Sequence, residues 1–154
     1  MNDHTGFDTE FDQRSFITFR LASVQNALNA QAGRVLKSHC NLTLTEWRVL
    51  LLIDVWDMAQ MSDMTRLAGL DKGQVSRSVK SLTAKGYVAS GAAEDDARAQ
   101  HLSVTESGHA LQRRVLPHML SRQERLVRDI DADEMRIFNK VLDRLADGAK
   151  LDDF

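Results

Sequence analysis

Lys72, Gln74, Ser76, Arg77 and Lys80 form a dense run of hydrogen-bond donors, all outside an apolar stripe made by Val75, Val79 and Leu82. Steps of four and three put that stripe on one side of a helix, so the polar side chains face elsewhere. Their chemistry suits nucleic-acid edges: Arg or Lys can donate to guanine O6/N7, Gln can pair with adenine or hold a phosphate, and Ser is a short adaptable donor. A helix that enters a major groove meets base edges with its N-terminal residues. Lys72, Gln74, Ser76 and Arg77 are therefore the candidates for bases, with Lys80 nearer the backbone. The competing reading is an ordinary solvated helix face. Further along, Asp96 precedes Arg98 by two residues, and its carboxylate could hold the guanidinium as a bidentate pair. The alternative there is a surface ion pair at a loop tip, contributing less than about 1 kcal/mol.

Other chemistries find little support. The histidines are His4, His39, His101, His109 and His118. None has a zinc-site spacing: His109 has Arg113 at i+4, and adjacent His39 and Cys40 point different ways on a helix. There is no glycine-rich phosphate loop, no serine nucleophile elbow and no carboxylate pair with an evident pocket, so neither an enzyme nor a bound metal or cofactor is expected. Cys40 is the single cysteine, which leaves no intramolecular disulfide and reads as a small buried apolar residue.

The elements that must position these donors follow from caps and breakers. Asp71-Lys72-Gly73-Gln74 reads as a capping box opening a helix that runs to about Lys85 and stops at Gly86. Ser62 can cap a short preceding helix over 63–68, and the two make a helix-turn-helix. Tyr87–Ser90 and Gln100–Val104 have strand composition and form a hairpin with a long tip. Upstream, Thr43-Leu44-Thr45-Glu46 is a second capping box, opening an apolar helix from Trp47 to Trp56 that belongs in the middle of the domain.

Long helices flank this unit. One runs from Ser15 to about Ser38 with Ile17, Leu21, Val24, Leu28 and Val35 in a stripe. Another starts at Thr105 and continues through Pro117 as far as Ile130, with a kink at the proline. The last opens at the Asp131 to Glu134 capping box and carries Met135, Phe138, Leu142 and Leu145. These stripes come from opposite ends of the chain and exceed what one domain can cover, so an intertwined two-fold interface is expected to bury them. The other reading packs them on their own core. The fold class is mainly α: a winged helix-turn-helix domain with a two-stranded β-hairpin wing, flanked by N- and C-terminal dimerisation helices. A single domain spans 15–147, with arms at 15–40 and 106–147 and a lobe at 43–104, between tails at 1–14 and 148–154.

The segments LTLTEWRVL, MTRLAGLDKGQVSRSVKSLTAKGYV and DDARAQHLSVTESG, in that order and spacing, resemble the MarR (multiple antibiotic resistance) family of transcriptional regulators from about Phe16 to Leu145. The resemblance implies a homodimer that binds a pseudo-palindromic operator in double-stranded DNA, a repressor released by a small aromatic, phenolic or anionic effector. It places Arg98 in a minor groove, where narrow A·T segments concentrate negative potential. Gly73 stands among the DNA-facing residues where the family commonly has a hydroxyl. An effector would sit between arms and lobe, near His39, Cys40 and Trp47. The alternative is a helical dimerisation or partner-binding module that keeps the winged-helix shape without reading DNA.

Composition bounds these readings. With 154 residues, 43% hydrophobic and one proline, the chain suits one helical domain that buries a core without disulfides. Its longest apolar run, Val49 to Ile53, is far short of a membrane span, and the first fifteen residues lack the pattern of a secretory signal. A cytoplasmic protein without a membrane partner is expected. The net charge of -2 argues against nucleic acid when taken alone. The acids, however, gather near both ends, whereas Met61 to Ser90 holds five basic residues against two acidic ones.

Overall fold

The computed structural model describes residues 16–55, 64, 70–92 and 100–150. The elements run α1 (Ile17–His39), α2 (Leu44–Val55), α3 (Lys72–Ala84), β1 (Val88–Ala92), β2 (Gln100–Val104), α4 (Glu106–Leu126) and α5 (Ala132–Gly148). The expected winged-helix architecture is present. The chain forms two compact units, Met1–Gln112 and Arg113–Phe154.

In the first unit α2 is central, touching α1, α3 and β2. Its run of apolar residues supplies Trp47, Val49, Leu50 and Ile53 to the core, joined by Leu36, Met64, Val75, Leu82, Val88 and Leu102. Met64 is helical; the rest of the expected 63–68 helix lies outside the described residues. Polar ties add direction to this packing. Arg48 Nη2 donates to Asn29 Oδ1 at 3.0 Å, and buried Gln112 Nε2 donates to the Leu50 carbonyl at 3.3 Å. His109 Nδ1 lies 3.4 Å from Asp54 Oδ1, joining the first turn of α4 to α2.

Two turns set the wing. Gly86 takes φ +75°, and its N–H bonds to the Thr83 carbonyl while that of Tyr87 reaches back to Leu82. This is a Schellman ending, which needs a left-handed residue and so favours glycine. Thr105 then fastens the end of the hairpin to this turn: its hydroxyl donates to the Gly86 carbonyl at 2.6 Å and accepts from the Gly108 N–H at 3.1 Å. A Cβ on Gly108 would collide with the Tyr87 carbonyl oxygen and the Val104 side chain. The spacing Val104-Thr105-x-x-Gly108 is thus explained by a close backbone approach.

Several boundaries differ from those expected. The first strand is Val88–Ala92 rather than Tyr87–Ser90, because Tyr87 is used by the Schellman turn and Gly91 and Ala92 find ladder partners in His101 and Gln100. Helix α4 passes through Pro117 but ends at Leu126, not Ile130; the Ile130 N–H bonds instead to the Val127 carbonyl in the turn that follows. The capping box at Asp131 and Glu134 forms with both arms. At Asp71 the side chain accepts from the Gln74 N–H.

The terminal stripes are open in the single chain. On α1, Ala32 and Leu36 are buried, Leu21 and Leu28 are half-buried, and Ile17 and Val24 are exposed. In the second unit α5 has no buried residue; Met135, Leu142 and Leu145 are half-buried, whereas Phe138, with Ile137 and Val141 beside it, is exposed. Among the described residues, no helix is long and apolar enough to cross a membrane.

Candidate nucleic-acid interface

The candidate donors sit on α3, and its sequence explains how they are presented. Asp71 caps the helix, its Oδ1 accepting from the Gln74 N–H at 2.9 Å, which satisfies one of the unpaired amides of the first turn. Val75, Ser78, Val79 and Leu82 are buried, seating the helix on α2 and β1. At 3.6 residues per turn the opposite side carries Gly73, Arg77 and Lys80 in one line. Gln74 lies on one flank of that line, Ser76 on the other. Lys72, Gln74, Arg77 and Lys80 are exposed, whereas Gly73 and Ser76 are half-buried. Asp96 and Arg98 lie outside the described residues.

Gly73 has a local consequence. A Cβ there would sit 3.0 Å from Asp71 Oδ1 and 3.2 Å from Arg77 Nη1. A side chain at Gly73 would therefore crowd both the capping carboxylate and the Arg77 guanidinium.

The flank bearing Gln74 faces the start of α2. There an open hollow of about 340 Å³ is lined by Thr43, Thr45, Glu46, Gln74, Arg77, Ser78 and Ser81. Glu46 is 5% exposed and does two jobs. Within α2 it completes the capping box, its Oε2 accepting from the Thr43 N–H at 2.7 Å while its own N–H donates to Thr43 Oγ1 at 3.2 Å. Across to α3, its Oε1 accepts from Ser81 Oγ at 2.5 Å and from Lys85 Nζ at 2.8 Å. Burial pushes this carboxyl's pKa up, but the bonds from Lys85, Ser81 and Thr43 outweigh it and hold the group down at about 2, against an ordinary 4.5.

The sequence shows Glu46 only as a helix cap and gives no sign of Ser81 as its partner; it shows Lys85 only as the end of a helix and one more positive charge. The signal available was the capping box. Its second role depends on α2 and α3 meeting, and Ser81 and Lys85 are 35 and 39 residues away. The bridge also neutralises one of the five basic residues counted between Met61 and Ser90, so the positive edge of α3 rests on Lys72, Arg77 and Lys80.

The residues named for an effector do not line this hollow. Trp47 is 3% exposed in the core, His39 is exposed at the end of α1, and half-buried Cys40 directs its Sγ to the Leu36 carbonyl at 3.3 Å.

Comparison with known proteins gives the surroundings of this site. Residues 41–99 match the model of the MarR family. An uncharacterized HTH-type transcriptional regulator of Bacillus cereus is 26% identical over 132 residues, covering 85% of this chain and 87% of the relative. A MarR/EmrR family transcriptional regulator from an Acinetobacter species superposes with a TM-score of 0.79 at 23% identity, over 86% of this chain and 93% of that one. The MepR protein of S. aureus, solved as a complex with DNA, gives a TM-score of 0.78 at 14% identity, over 90% and 100% of the two chains. At those identities the two solved structures speak for the fold. Family model, relative and fold point the same way: the chain is similar to MarR-family regulators, and the segment that the family model matches contains α2 and α3.

Proposed function

We propose that this protein is a DNA-binding transcriptional regulator that acts as a homodimeric repressor. The observation that carries the reading is the outer edge of α3. Gly73, Arg77 and Lys80 stand in line on a capped helix whose opposite side is locked into the core, with Gln74 alongside. A guanidinium and an amide on the leading turns of a helix can read guanine and adenine edges, and Lys80 one turn on can meet a phosphate. Arg98 and Asp96 would add a wing contact in the flanking minor groove.

The homodimer is supported by apolar surface at the two ends of the chain. Ile17, Val24 and Phe138 are 45%, 56% and 51% exposed, and a two-fold interface would bury each of them twice. It would also set two recognition helices one DNA turn apart, about 34 Å. A small aromatic or anionic effector would act by binding one spacing of the recognition helices more tightly than another, shifting the population away from the DNA-competent one. Its site, at the corner of His39, Cys40 and Trp47, is proposed on family resemblance.

Footprinting on the DNA upstream of the protein's own reading frame tests this reading. The expected result is a protected site with two-fold symmetry and half-sites one helical turn apart. Uniform weak protection along the duplex would overturn it and favour a winged-helix module that binds a protein partner instead.

A further inference from the structure

Glu46 stands out among the polar groups of the α2–α3 junction because one nearly buried carboxylate joins the first turn of α2 to the end of α3. The two helices also bury apolar residues, among them Val49 and Leu50 of α2 and Val75 and Leu82 of α3. Apolar burial of this kind is non-directional, whereas a short charge-assisted hydrogen bond fixes the distance and orientation of its two groups. Lys85 is the C-cap of α3, immediately before the Schellman turn at Gly86, so its backbone is fixed independently of the bridge. From Ser81 to Gly73 is eight residues, about 12 Å along the helix axis. A tilt at the Ser81 end therefore moves the Arg77 and Gly73 edge sideways.

We infer that Glu46 is a positioning residue which sets the seat of α3 on α2, and through it the alignment of the Arg77 edge with the base edges; this rests on the DNA-binding reading above. Glu46 touches no DNA itself. It also occupies the Lys85 ammonium, which keeps that charge out of the set that meets phosphates. Specific binding depends on the seat, whereas non-specific binding depends mainly on the number of free positive charges. Loss of Glu46 should therefore separate the two.

The test compares full-length wild type with Glu46→Gln on two duplexes, the protein's own upstream DNA and a scrambled sequence, together with amide hydrogen exchange of the free proteins. Folded Glu46→Gln is expected to lose about tenfold in the ratio of specific to scrambled affinity. Its affinity for the scrambled duplex should hold or rise, because Lys85 is released. Exchange in the last two turns of α3 should quicken about tenfold, with α5 unchanged. Ser81→Ala, which leaves the carboxylate and Lys85 in place, should move both readouts the same way by a smaller factor, and it carries the test if Glu46→Gln does not fold. An unchanged ratio, or an equal loss on both duplexes, would overturn the inference. Failure of the wild type to discriminate between duplexes would instead overturn the DNA-binding reading, and the exchange data would still decide whether Glu46 seats the helix.

Discussion

Lys85 donates to Glu46 across 2.8 Å, linking the end of the candidate recognition helix to the start of α2. The pair is asymmetric in its exposure: the Glu46 side chain is 7% exposed and that of Lys85 35%. A buried carboxylate with its lone pairs filled by Ser81, Lys85 and Thr43 is stable only while it stays charged.

Acid titration follows from that. Glu46 has a folded-state pKa of about 2 against an ordinary 4.5. The stability it contributes is fully present above pH 4.5 and is lost as pH falls from there toward 2. Urea unfolding at pH 7 should find Glu46→Gln less stable than wild type by about 2 kcal/mol, a figure held down by the water around Lys85. The difference should shrink steadily between pH 4.5 and 2. A gap that stays constant through that window would contradict the assignment.

Gly108→Ala should be among the costlier single-methyl additions in the first unit. The new Cβ would meet the Tyr87 carbonyl, which already accepts from the Thr105 N–H at 3.0 Å. A loss of about 1–3 kcal/mol is expected from overpacking against backbone. Ser107→Ala, on the exposed side of the same turn, serves as the control and should change thermal unfolding little.

Arg77→Ala and Arg98→Ala should differ in kind. The first should relax base preference at one position per half-site, at a cost of about 1–3 kcal/mol for the preferred base. The second should weaken binding with little change in major-groove sequence choice. Selection of binding sites from random duplexes distinguishes the two, and identical preferences in wild type and Arg77→Ala would remove Arg77 from the base-reading set.

Phe138→Asp tests the dimer. Phe138 is 51% exposed in the single chain and would be counted twice across a two-fold axis. A loss of about 100-fold or more in dimer affinity is expected, with the circular dichroism of the folded chain retained. Sedimentation equilibrium that finds wild type and variant in the same assembly state would exclude this face from the interface.

The parts of the fold legible in the sequence are those written in local chemistry. Capping boxes at Thr43 and Asp131, the apolar stripe of α3 and the glycine after Lys85 each depend on neighbours within a few residues. The end of the first strand was not legible, because Gly91 and Ala92 are poor strand formers held by His101 and Gln100. The donors of α3 were legible because helix periodicity separates them from Val75, Val79 and Leu82. The Glu46 bridge was not, since the carboxylate's local partner, Thr43, accounts for it fully until α3 is folded against it.

If the edge of α3 reads DNA sequence, fluorescence anisotropy across a salt series will show it. Wild-type protein is titrated onto its own upstream duplex and onto a scrambled duplex. Tight binding to the first that weakens steeply as salt rises is expected, with weak binding to the second, because the positive edge rests on few residues. Equal, weak binding to both duplexes at low salt would contradict sequence reading by this edge.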